Sequence, residues 1–167
     1  MSSPTTATPS TSPVVKPVVK AIVYATLVAG TLDLLDASVF FGLRGIPLAA
    51  IYQSIAAGLL GPASFKGGMG TATLGVVLHY AIMAVMVIVY VLAARRIALL
   101  AERPFVCGAI YGLLLYIVMN AIVLPLSAMP PKAFPNGIVL ANGLFAHIVL
   151  VGIPIALFAR WCWRRGN

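Results

Sequence analysis

Charge is scarce in this sequence: Asp, Glu, Lys and Arg make up 8% of 167 residues, and only three of them are acidic. A water-soluble domain carries about 25% charged residues, so the chain could not cover a surface in water. Cysteine is scarce too, with only Cys107 and Cys162 present. Both lie near the expected cytoplasmic ends of apolar runs, where thiols stay reduced. Two thiols are an incomplete zinc set, and the simplest reading makes them small packing residues. Catalytic signatures are missing as well. There is no Gly-x-Ser-x-Gly, no His-Glu-x-x-His and no phosphate loop, and Ser54 and Ser127 stand at no spacing that implies activation. No cofactor or metal motif is present.

Hydrophobic residues, by contrast, supply 62% of the chain. The expected fold class is all-α, an integral membrane bundle of one domain. Four runs reach the roughly 20 residues that cross a hydrocarbon core: about 18–43, 70–94, 105–126 and 138–159. Residues 1–15 are rich in Ser, Thr and Pro, carry no charge and read as a disordered tail. A signal peptide cleaved after Val28-Ala29-Gly30 is the competing reading of the first run. The apolar stretch continues past that point, which favours a retained span. Residues 46–61, between Pro47 and Gly61-Pro62, are too short to span and read as an interfacial or re-entrant helix on the outer side. Pro154 inside the last run predicts a kink.

The net charge of +8 raises the question of a nucleic-acid partner. The basic residues sit at the ends of apolar runs and form no stripe, so their pattern is a topology signal and the partner is the lipid bilayer. With the N-terminus inside, eight cations (Lys16, Lys20, Arg95, Arg96, Arg103, Arg160, Arg164 and Arg165) are cytoplasmic, against three outside, Arg44, Lys66 and Lys132. Both termini are therefore expected in the cytoplasm.

Five polar side chains interrupt the apolar helices: Asp33, Asp36, His79, Asn120 and His147. An Asp at the centre of a membrane helix costs roughly 2.5–3.5 kcal/mol, so such residues need partners and often mark a site. Counted from the flanking cytoplasmic cations, all five lie about 20–25 Å deep, in the outer half of the membrane. Asn142 falls slightly further out. Small residues share their faces. Ala21, Ala25 and Ala29 lead to Asp33, Gly75 precedes His79 by four, Gly108 and Gly112 form a GxxxG below Asn120, and Gly143 precedes His147 by four. Small residues let membrane helices approach closely, so the polar layer should face inward.

That layer admits several readings. It could fix helix register alone, or exchange protons or ions between a histidine and an aspartate. The two histidines could ligate a haem or metal ion. The Asp33–Asp36 pair could act as catalytic carboxylates, although an intramembrane aspartyl enzyme would more naturally take its acids from two helices. Four helices make a thin-walled pore, so a transport role would require a homo-oligomer.

From His79 onward the chain resembles the small bacterial inner-membrane proteins of the YagU-like type. The resemblance lies in Leu78-His79-Tyr80, Tyr90, Arg103-Pro104, Cys107-Gly108 through Gly112, Met119-Asn120 before Val123-Leu124-Pro125-Leu126, and Ala146-His147 ahead of Arg160. It implies a bacterial inner-membrane location and histidines at positions 79 and 147. It implies no activity.

Overall fold

The computed structural model describes residues 15–130, 135 and 137–166. The tail expected over residues 1–15 lies, but for Val15, outside them, as does Lys132. The described residues are helical throughout their ordered elements and hold no strand.

The first helix, α1 (Val15–Gly42), is almost wholly apolar and ends where Gly45 takes a left-handed φ of 82°. Arg44 closes that end: its guanidinium donates to Phe40 O at 2.7 Å and lies 3.6 Å from the centre of the Phe40 ring. A cation there satisfies a carbonyl the helix leaves bare. Helix α2 (Leu48–Leu60) starts directly after Pro47 and stops at Gly61, whose φ is 65°. A 3-10 turn over Gly61–Lys66 leads into the long α3 (Gly68–Ala94). A one-turn helix, α4 (Ala98–Glu102), lies between Arg96 and Arg103. Helix α5 (Pro104–Val118) begins on a proline and passes into a π turn, Met119–Val123. Helix α6 (Gly137–Phe145) runs through a second π turn, Ala146–Gly152, into α7 (Ile153–Gly166).

Five segments are long and apolar enough to cross a membrane: Pro17–Gly42, Leu48–Lys66, Gly68–Ala94, Pro104–Val123 and Gly137–Arg165. This is a multi-pass membrane protein by length and composition. The sequence counted four spans, and the additional one is the segment read there as a half-helix. Its 19 residues do not form one rod. Ser64 Oγ donates to Gln53 O at 2.8 Å across 11 positions, which a straight helix would hold about 16 Å apart. The left-handed Gly61 turns the chain, and the 3-10 turn folds back along α2.

Close packing positions the rest. Ala21, Ala25 and Ala29 of α1 are fully buried against Val87 and Val91 of α3 and Ile155 and Ala156 of α7. Gly108 and Gly112 of α5 meet the backbone of the second π turn, and Gly152 faces back onto the same two glycines. Gly75 lies against Tyr52 O and Ala56 N of α2, while Gly143 sits under the Tyr116 ring. Lys20 and Arg165, with Pro17 and Trp161, line one hollow, so α1 starts and α7 ends at the same end of the bundle. Arg160 reaches Glu102 O there at 3.4 Å. At the opposite end the Ser127–Met129 loop is tied to α2 by Ala128 N–H donating to Gly58 O at 2.8 Å.

Candidate functional site

A cavity of about 510 Å³ opens between α1, α2, α3 and the two π turns. Its walls are largely apolar, with Phe41, Ile55, Phe65, Met83, Met86 and Met119 among them. Polar character is confined to Asp33, His79, His147 and Ser54.

Asp33 continues the buried Ala25–Ala29 face of α1. Its carboxylate is 22% exposed and makes no hydrogen bond to a described residue, although His147, His79 and Asp36 all act on it electrostatically. His79, 11% exposed, reaches it from α3, with Nδ1 4.0 Å from Asp33 Oδ2. The other ring nitrogen, Nε2, lies 2.9 Å from Gly30 O. A carbonyl only accepts, so Nε2 carries a proton, and in the neutral ring Nδ1 is the bare nitrogen that faces Asp33. Gly30 has no room for a side chain, because the Tyr80 ring fills the place of its Cβ, and Tyr80 Oη shares a 2.8 Å hydrogen bond with Thr31 Oγ1.

His147 repeats the arrangement. Its Nδ1 lies 3.0 Å from Gly143 O and must donate there, which leaves Nε2 as the free acceptor of a ring that lines the cavity. Tyr116 holds that ring edge-on, with centres 5.4 Å apart. Gly112 lies directly against His147 O, so the α5 backbone supports the turn from behind. Thus a carboxylate and two imidazoles line one cavity.

The π turns have a local cause. In each, a backbone N–H reaches back five residues, from Ile153 to Ile148 and, at 2.8 Å, from Leu124 to Met119. Pro154 and Pro125 follow immediately and have no N–H, so the α-helical register cannot run through them. Where the sequence predicts a kink at Pro154, the structure has a π turn just before it. Both turns carry a polar residue singled out from the sequence, Asn120 in the first and His147 in the second.

The other two members of the expected layer have separate partners. Asp36 Oδ2 accepts from Asn142 Nδ2 at 2.7 Å, which ties α1 to α6. Asn120 Nδ2 donates to Tyr116 O at 2.9 Å, one turn earlier in its own helix, and Met119 rather than Asn120 lines the cavity. A second polar group was not anticipated. Gln53 Nε2 donates to Gly68 O at 2.8 Å, and Thr71 Oγ1 donates to Ser64 O at 2.7 Å, closing the turn after α2. The available signal was a lone Gln in an apolar run.

Among the described residues no group of three His, Cys, Asp or Glu is placed to hold a metal ion. Each histidine spends one nitrogen on a backbone carbonyl, so ligation would rest on the two remaining nitrogens. No protein family, curated protein or solved structure matches the chain.

Proposed function

We propose that this chain is a non-enzymatic protein of the bacterial inner membrane in which Asp33, His79 and His147 form a proton-responsive site in the outer half of the bilayer. Four of the five apolar segments cross, α2 and its 3-10 turn stay on the outer side as a re-entrant or interfacial hairpin, and both termini are cytoplasmic. The shared end of Lys20 and Arg165 and the fold-back of Ser64 onto Gln53 support this topology. So does the count of cations on each side.

One observation carries the site reading. His79 Nδ1 faces the carboxylate at 4.0 Å, and with no proton between them two accepting atoms repel at that range. A single proton removes the conflict. On His79 it makes an ion pair; on Asp33 it makes a neutral donor. An imidazole in water changes charge between about pH 5 and 8, so that is the interval in which the site is to be tested.

The chain has two histidines, which makes imidazole nitrogen NMR directly assignable with one variant. In purified protein the ring signals of His79 or His147 should move between pH 5 and 8, and Asp33→Asn should displace the midpoint while leaving the fold intact. Two rings that stay constant over that interval would remove the proposal. The rival reading, a layer that only fixes helix packing, is favoured for Asp36 and Asn120, because their hydrogen bonds are already made to Asn142 and to the helix backbone.

A further inference from the structure

We propose that the cavity binds a lipophilic amine in its protonated form, and that the bound ammonium group takes the place of the proton held by Asp33, His79 and His147. The proposal rests on the proton-responsive reading of that cluster and names its ligand class.

The polar wall selects for charge and for donors at once. His79 Nε2 is committed to Gly30 O and His147 Nδ1 to Gly143 O. What each ring can offer a ligand in its neutral form is therefore a lone pair. Asp33 adds a carboxylate that no described side chain hydrogen-bonds, its nearest basic atom being His79 Nδ1 at 4.0 Å. A ligand with only accepting groups would be repelled by this wall. A hydroxyl could donate but would leave the carboxylate uncompensated, and a buried charge without a partner is costly. A protonated amine supplies the missing positive charge together with two or three N–H donors.

The rest of the cavity suits the tail of such a molecule. At about 510 Å³ it lies within the roughly 300–1,000 Å³ of small-molecule sites. Phe41 and Phe65 present aromatic surface, and Met83, Met86 and Met119 present flexible apolar side chains that adapt to irregular shapes. Aromatic faces also attract cations.

Competition with protons follows from charge. The groups acting on Asp33 are His79 from α3, His147 from the second π turn, and Asp36 one turn along α1. Helix α2 contributes Ser54 but no titratable residue to the cavity, and the turn after α5 contributes Met119. Asp36 is occupied with Asn142. With one carboxylate available, one positive charge is held at a time, so amine binding releases a proton where the cluster holds one. Apparent affinity must then fall tenfold for each pH unit below the midpoint of the cluster.

The probe is radiolabelled 4-phenylbutylamine on the purified full-length protein, with 4-phenylbutanol and 4-phenylbutyltrimethylammonium as uncharged and donor-free comparators. The amine should bind at pH 8 at least tenfold more tightly than either comparator, lose affinity towards pH 5, and release up to one proton per molecule bound only below the midpoint of the cluster. Asp33→Asn should weaken it at least tenfold. Ala50→Phe, which fills the cavity from α2, should block binding while the histidine NMR response persists. Equal binding of amine and alcohol, equal binding of the quaternary analogue, or pH-independent binding would each overturn the ligand class. No amine binding alongside a normal histidine response would overturn it too and leave the proton-responsive reading standing. Histidines silent to pH would remove both.

Discussion

The proton inventory of His79 and His147 decides what the cavity offers, and neither inventory is visible in the sequence. Position along each helix followed from helical rise alone. Azimuth did not. Asp36 follows Asp33 by three residues, which rotates it about 60° around α1, far enough to meet Asn142 and not His79. In a bilayer an orphaned carboxylate finds no water, so Asn142→Leu should destabilise the protein by about 1–3 kcal/mol. The pair Asp36→Leu with Asn142→Leu should cost less than the sum of the two single changes, because it leaves no bare charge. Unfolding in mixed detergent micelles measures the cycle. Strictly additive losses would mean that the 2.7 Å bond contributes nothing to stability.

At the scale of elements, hydrophobic runs gave the long helices to within a few residues except at the end of the last, which continues to Gly166, since membrane length and the loss of backbone solvation both demand continuous helix. They could not give the fold-back of the 3-10 turn onto α2, because Gly61-Pro62 marks where that helix ends but not the direction the chain takes after the left-handed Gly61. Nor could a proline say whether it kinks a helix or widens it into a π turn. The glycines now have distinct partners, and two substitutions separate them. Gly112→Leu drives a side chain into His147 O, whereas Gly75→Leu drives one into Tyr52 O. Overpacking of this kind costs about 1–3 kcal/mol or more, so both variants should melt earlier. Only Gly112→Leu should also shift the imidazole signals of His147, since it displaces the turn that carries the ring. Loss of stability without that shift would mean that α5 does not position the histidine.

Whole-molecule topology reduces to a parity argument, because an even number of crossings returns the C-terminus to the side of the N-terminus and an odd number does not. Four crossings with the N-terminus inside divide the cations eight to three. If Leu48–Lys66 also crossed, Lys66, Lys132, Lys16 and Lys20 would share one side and the other seven cations the opposite one, a division of seven to four. Both divisions are biased, so charge alone favours four crossings only narrowly. The hollow lined by Pro17, Lys20, Trp161 and Arg165 weighs more heavily, since it brings the start of α1 and the end of α7 together. The decisive positions are Arg44 and Lys66, which flank the disputed segment. In a background carrying Cys107→Ala and Cys162→Ala, Arg44→Cys and Lys66→Cys should both react with a membrane-impermeant maleimide in intact cells. A reporter fused after Asn167 should be active only in the cytoplasm. Labelling of Arg44→Cys without Lys66→Cys, together with a C-terminal reporter active outside, would establish five crossings.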